Sequence, residues 1–130
     1  RARFRVVCVA TTTDDGSSLA QIARRDCDAF LEMAGKSDLE VAEAVNEAGV
    51  DVMINLYGFL DKARNGVAQY GPAPAAVNHR WCGTTGSPRI RFTVTDAVSS
   101  PPDYRAFYSE PLLYMPASYL PNAHREAYPP

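Results

Sequence analysis

The sequence predicts an α/β domain built on an open parallel sheet, and three observations carry that prediction. Short β-branched and apolar runs alternate with helical segments in the order strand, helix, strand, helix, strand as far as Asn55. The helical segments between those strands supply the crossovers that parallel neighbours need. The third strand then ends at Asn55 and Gly58, and a later run opens into Gly83-Thr84-Thr85-Gly86. Loops of that composition at the carboxyl ends of parallel strands are where such sheets hold ligands.

Each element has its own signal. Phe4 to Ala10 is β-branched and apolar and reads as a buried strand. Asp14-Asp15-Gly16 is a turn, and Ser17 or Ser18 caps the helix after it. Leu19, Ile22 and Ala23 share one face of that helix, and Arg24 and Arg25 sit near its end, where cations suit the dipole. Ala29 to Met33 reads as a short second strand or as an extended piece beside the sheet. Ser37-Asp38-Leu39-Glu40 is a capping box, Leu39, Ala42 and Val45 share a face, and Gly49 stops the helix. Val50 to Asn55 is the third strand. Asp61 is expected to cap a helix from Lys62 to Gln69, with strands at Ala75 to His79, Phe92 to Thr95 and Leu112 to Met115. Ser99 to Asp103 starts a helical turn that runs through Tyr108, with Pro102 near its first position. Beyond Pro116 the prolines and the lack of periodicity predict a loop.

Composition narrows the function classes. With 46% apolar and 22% charged residues in 130, the chain has room for one packed core. The net charge of −2 gives no basic footprint for nucleic acid or anionic lipid. Cys8, Cys27 and Cys82 are far apart and odd in number, so neither a disulfide framework nor a zinc site is supported, and a reducing, cytoplasmic or nuclear setting fits. The most apolar run, Val50 to Leu60, is broken by Asp51 and Asn55 and does not read as a membrane span. The first residue is not Met and the last two are prolines, so the chain is expected to be a piece of a longer polypeptide.

Among residues able to carry chemistry, the Gly83–Gly86 loop offers backbone N–H groups and two hydroxyls, suited to sugar or phosphate oxygens or to nothing beyond a tight turn. No GK[ST] follows it and no GxGxxG follows the first strand, which removes the main support for ATP or a dinucleotide. His79 falls at a strand end, within reach of a ligand or as a half-buried polar residue. His124 and Arg125 are expected in solvent. Cys82 is a nucleophile only if a neighbour lowers its pKa, and an inert buried thiol otherwise. Asn55 either orients a ligand or caps local backbone, while Gly58 permits close backbone approach.

Taken as an ordered series, Asn55-Leu-Tyr-Gly58, Lys62-Ala-Arg-Asn65, Pro72-Ala-Pro74, Gly83-Thr-Thr-Gly86, Thr95-Asp96, Tyr108-Ser-Glu110 and Met115-Pro116 resemble the catalytic region of the O-linked N-acetylglucosaminyltransferases. Phe4, Cys8 and Asp14-Asp15-Gly16 fit the same register, so the resemblance covers nearly the whole chain. It implies a GT-B enzyme with two Rossmann-like lobes. Residues 1–116 would be an incomplete amino-terminal lobe, and 117–130 a loop leading toward the second. The family moves N-acetylglucosamine from UDP-N-acetylglucosamine to Ser or Thr hydroxyls of intracellular proteins, inverting the anomeric centre with no metal or other cofactor. Tetratricopeptide repeats usually precede its catalytic region. The implied partners are a nucleotide-sugar donor, a protein or peptide acceptor and the second lobe, with no nucleic acid and no membrane.

The resemblance also sorts the residues. The UDP-binding lysine and a histidine-threonine segment belong to the other lobe, and a histidine near the active site precedes Arg1. Catalytic residues are therefore expected outside this chain, which alone would be inactive. The donor sugar would meet His79, Arg80, Cys82, Gly83 and Thr84, with Asn55, Gly58, Gly86 and Asp96 supporting the site. Relatives read like Trp-Leu-Gly-Tyr-Pro-Gly-Thr-Ser-Gly where this chain has Asn78 to Gly86, so His79, Arg80 and Cys82 stand at leucine, glycine and proline positions. Two alternatives share the framework: a protein O-fucosyltransferase of the Spindly type, and a degenerate lobe kept for binding or scaffolding. A third is a generic Rossmann-like domain for another small ligand.

Overall fold

The computed structural model describes residues 3–81 and 83–121. Its elements run β1 (Val7–Ala10), α1 (Ser18–Asp26), β2 (Ala29–Glu32), α2 (Asp38–Glu47), β3 (Val52–Asn55), α3 (Asn65–Gln69), β4 (Ala75–Asn78), β5 (Ile90–Thr95), a 3₁₀ turn (Pro102–Phe107) and β6 (Leu112–Tyr114). All the strand pairings are parallel, as the alternating order requires, but they form two sheets. β1 pairs with β2, and β3-β4-β5-β6 lie side by side in chain order.

Local chemistry sets the helix starts. Ser17 caps α1 by accepting from the Ala20 N–H, and paired Asx contacts from Asp14 and Asp15 to the N–H groups of Gly16 and Ser17 bring the chain into it. At α2 the capping box closes in both directions. The Ser37 hydroxyl accepts from the Glu40 N–H at 3.3 Å, and the Glu40 carboxylate accepts from the Ser37 N–H at 2.8 Å. α3 is shorter than the expected Lys62–Gln69, and Asp61 does not cap it. The backbone at Lys62 turns left-handed, with φ 65°, so a helix cannot propagate from there; Arg64 takes the N-cap position instead. Its guanidinium pairs with Asp38 and donates to the Lys36 carbonyl at 2.9 Å, fastening α3 to the start of α2.

The core lies between these helices and one face of the larger sheet. Val41, Ala42 and Val45 of α2 and Val67 of α3 are buried together, with Val9, Met33, Val50 and Met53 packed around them. Ala68, Ala76 and Ile90 continue the core along the sheet. Val9 of β1 and Met33 after β2 thus reach the same α2 core as Met53 of β3, so α2 is the element both sheets share. Arg5 adds a bond to the Ala48 carbonyl at 2.8 Å.

Two surfaces depart from the sequence expectation. The α1 face carrying Leu19 and Ile22 is not buried, and Leu19 is 75% exposed. The face of the β3–β6 sheet away from α2 and α3 is also bare. Val52, Ile54, Phe92 and Leu113 are all exposed there, on the side opposite Met53, Ala76 and Thr93. Parallel strands are apolar on both faces because both are ordinarily covered; the strand expected to be buried, Phe4 to Ala10, likewise shortens to Val7–Ala10 and is only half-buried, with Phe4 and Val6 exposed. Among the described residues, no helix is long and apolar enough to cross a membrane.

Candidate functional site

The covered face of the sheet changes character along its strands. Toward the amino ends it is apolar, with Met53, Ala76 and Ile90. Toward the carboxyl ends, Asn55, Asn78 and Thr93 pair in register across three strands, followed by Thr95 and Asp96. Asn78, Thr93 and Thr95 are fully buried. A buried polar row costs stability unless it is hydrogen-bonded, and here it anchors the loops at the carboxyl edge.

Asn78 does most of that work. Its amide nitrogen donates to the carbonyls of Trp81 at 2.9 Å and Gly83 at 3.3 Å and lies 3.4 Å from the Thr93 hydroxyl, pulling the β4–β5 loop back over the strand end. Asn55 donates to Asn65 Oδ1 at 3.0 Å, and Asn65 donates to the Gly58 carbonyl at 2.6 Å, so the β3–α3 loop is tied to the first turn of α3. Trp81 joins the two loops. A Cβ built on Gly58 would lie 2.1 Å from Trp81 Cγ, and one on Gly83 would lie 2.8 Å from Trp81 Nε1. Only glycine lets the backbone approach the indole this closely. Asn78 Oδ1 and Trp81 Nε1 are buried without a partner among the described residues, an acceptor and a donor left open beside the same loop.

The Gly83–Gly86 turn is held from below by Glu110, which is 3% exposed. The carboxylate accepts from the Thr84 hydroxyl at 2.8 Å, from the Thr85 N–H at 2.7 Å and from the Thr85 hydroxyl. Burial pushes the Glu110 carboxyl up, but those donors reverse it and hold it below the usual glutamate range. The threonine hydroxyls also accept from backbone, Thr84 from Gly86 and Ser109, and Thr85 from Ser87. Both hydroxyls offered by the sequence are therefore engaged within the protein.

The remaining candidates spread around this edge. The His79 ring nitrogen Nε2 lies 2.8 Å from the Tyr119 carbonyl; with a carbonyl opposite it, that nitrogen carries the hydrogen. Asp96 is buried and accepts from Val98 and Ser99 through one oxygen and from Tyr119 through the other. The N–H groups of Ser99 first, then Tyr119, hold its carboxyl below the usual aspartate range. His79 and Asp96 together pin the segment after β6 against the ends of β4 and β5. Arg80 is exposed, has no partner among the described residues, and adopts φ 66°, a left-handed conformation that side chains disfavour. Gly86 is exposed at the end of the turn. Cys82, His124 and Arg125 lie outside the described residues.

Beneath the edge is a cavity of about 190 Å³ lined by Asn55, Asn65, Gln69, Thr85 and Ser87 on its polar side and by Phe59, Ala68 and Ile90 on its apolar side. Among the described residues no cluster of His, Cys, Asp or Glu could hold a metal ion. The structure thus brings Gly58, Gly83 and Thr84 into one assembly, with Asn55 at its cavity, and sets His79 and Asp96 beside it. Sequence reasoning left out Asn65, Asn78, Trp81 and Glu110 as supports of the site. Each acts on a residue at the far end of a loop, and local pattern carries no signal for that.

Comparison with known proteins agrees with this fold. The profile of glycosyl transferase family 41 matches residues 1–130. A probable UDP-N-acetylglucosamine–peptide N-acetylglucosaminyltransferase, SEC, of Arabidopsis thaliana is 32% identical over 127 residues, covering 97% of this chain and 13% of the relative. A Caenorhabditis elegans UDP-N-acetylglucosamine–peptide N-acetylglucosaminyltransferase is 28% identical over 130 residues, 97% of this chain and 11% of the relative. A rice protein named as a probable enzyme of the same activity, SPINDLY, is 34% identical over 94 residues, 70% of this chain and 10% of the relative. Among solved structures, a mutant O-GlcNAc transferase of Thermobaculum terrenum superimposes with a TM-score of 0.87 at 26% identity, covering 93% of this chain and 23% of that one. The chain therefore spans between a tenth and a quarter of the proteins it matches. With a parallel α/β fold, a latched glycine-threonine turn at its carboxyl edge and a match along its whole length, the chain belongs to glycosyl transferase family 41.

Proposed function

We propose that the polypeptide carrying this chain transfers N-acetylglucosamine from UDP-N-acetylglucosamine to Ser or Thr hydroxyls of proteins, with inversion and without a metal. This chain is then part of its amino-terminal lobe, facing the sugar side of the cleft. The observation that carries the proposal is the Gly83–Gly86 turn, buttressed by Glu110 and Asn78 at the carboxyl edge of a sheet that superimposes on an O-GlcNAc transferase. The names of the Arabidopsis and nematode relatives support the donor and the peptide acceptor.

Glycosyl transfer needs the acceptor hydroxyl aligned with the anomeric carbon and the departing diphosphate stabilised. Apart from Arg80, this edge contributes neutral amides and a turn backbone suited to holding a sugar in place, with the Thr84 and Thr85 hydroxyls shaping the turn from within. Its two buried carboxylates, Asp96 and Glu110, are saturated by loop donors, so neither is placed as the acid or base of a glycosidase pair. On the family resemblance, the cation for the diphosphate comes from the second lobe, which leaves this chain inactive alone. The odd number and wide sequence spacing of the three cysteines support a cytoplasmic or nuclear setting.

Arg80 favours one second reading. It holds a left-handed conformation and projects charge into solvent beside the turn, at a position where the family resemblance implies glycine. A lobe kept for binding rather than transfer would tolerate that. Incubating the full-length protein with labelled UDP-N-acetylglucosamine or GDP-fucose and a peptide acceptor separates the cases. Transfer from the first supports the proposal, transfer from the second makes it a fucosyltransferase, and transfer from neither leaves the binding lobe.

A further inference from the structure

We propose that Glu110 is a positioning residue: it latches the Gly83–Gly86 turn into a single conformation before the donor arrives. The idea rests on the function proposed above only for what the turn touches. The latch itself rests on geometry.

Glu110 lies just before β6, 25 residues from the turn it holds, and is almost fully buried. Its two carboxylate oxygens divide the turn between them. Oε2 accepts from the Thr84 hydroxyl, and Oε1 accepts from the Thr85 N–H and the Thr85 hydroxyl. The Thr84 hydrogen is thereby committed to Glu110, so in the 2.8 Å contact between Thr84 and Ser109 the Ser109 hydroxyl donates. Each threonine oxygen then accepts backbone N–H groups from its own turn. Both carboxylate oxygens and both threonine hydroxyl hydrogens are thereby engaged. A tight turn with a glycine at each end would otherwise sample several backbone conformations.

The functional consequence follows from populations. A turn that is in its binding shape only a fraction of the time binds its ligand more weakly by that fraction. Loss of the latch should therefore raise the donor KM more than it lowers kcat, since the turn contacts the sugar without moving a proton.

The test uses the full-length protein with Glu110→Ala and Glu110→Gln. The glutamine keeps the shape and one accepting oxygen, so it is the readable variant if the alanine, which strands the Thr85 N–H, fails to fold. Two readouts are needed: amide hydrogen exchange of the peptide covering residues 83–87, and the donor KM and kcat. Expected are exchange faster by about tenfold or more in the alanine variant, a donor KM higher by about tenfold with kcat within about threefold, and the glutamine in between. Unchanged exchange in both variants overturns the latch. Faster exchange with an unchanged KM, or with the loss carried by kcat, overturns the positioning role. If the unmodified protein neither binds nor transfers a sugar nucleotide, the proposed function fails by itself; exchange then decides the latch, faster supporting it and unchanged refuting it.

Discussion

Replacing Gly58 with alanine adds one methyl group where the backbone rests against the Trp81 indole. Its Cβ would stand 2.1 Å from Trp81 Cγ, 2.4 Å from Cδ1 and 2.5 Å from Cβ. Carbon atoms in contact normally sit about 3.5–4.0 Å apart, so the indole must retreat by about 1.5 Å. It has little room to do so, because Gly83 backs it on the Nε1 side. Overpacking of this kind costs about 1–3 kcal/mol. Gly58 also holds φ 49°, where a side chain adds about 1–2 kcal/mol. Together the substitution should destabilise the lobe by about 2–5 kcal/mol. Urea unfolding of the full-length protein measures this, run as a cycle with Trp81→Ala and the double variant. With the indole gone only the backbone cost remains, so the coupling between the two sites should be about 1–3 kcal/mol. Strict additivity, or a loss below about 1 kcal/mol for Gly58→Ala alone, would mean that Trp81 does not rest on Gly58.

Arg80→Gly should stabilise the protein by about 0.5–1 kcal/mol, the left-handed cost relieved less the extra freedom glycine has when unfolded. Arg80→Ala keeps the Cβ and should not, so thermal melts of the pair separate backbone strain from lost charge; a change in donor affinity in the glycine variant would place the loop at the sugar. The Ser37–Glu40 box gives a pH signature. The Ser37 N–H, then its hydroxyl, then Lys36 lower the Glu40 carboxyl to about 2, so its contribution is full above the unfolded-state value and is lost as pH falls through about 2. Stability curves of the parent and Glu40→Gln should converge between about pH 5 and pH 2, and a constant gap would contradict the assignment. Asn65→Ala strands the Asn55 amide and the Gly58 carbonyl and should cost about 1–3 kcal/mol, read from the shift in urea midpoint.

Where sequence and structure agree, the information is local. The Ser37–Glu40 box, the Ser17 cap and the proline opening the 3₁₀ turn each depend on residues within one helical turn, so the sequence states them outright. β3 was legible because an apolar run between Gly49 and Gly58 has few alternatives. The site was legible as a place, a glycine-threonine turn after a strand, but not as a mechanism. Glu110 reaches its partners across 25 residues and Asn78 reaches Thr93 across 15, and the sequence gives no sign that these residues meet. It reads the threonine hydroxyls as offered outward, when the carboxylate below has already claimed them. Leu19 and Ile22 misled in the opposite way. Their spacing is that of a buried stripe, and the element that would bury it is absent from this chain's described residues.

The bare side of the β3–β6 sheet has a kinetic consequence. Val52, Ile54, Phe92 and Leu113 form an apolar panel on three strands of the four-stranded sheet, and no described residue closes it off from solvent. Until a cover arrives, the strands stay adhesive, and a nascent or truncated chain is exposed to association with its own copies. Produced alone, these 130 residues should bind a hydrophobic dye and self-associate, and Ile54→Lys should suppress both. The order in which the cover is synthesised then governs yield: a cover made earlier closes the panel at once, whereas one made later leaves it open for the whole interval of synthesis.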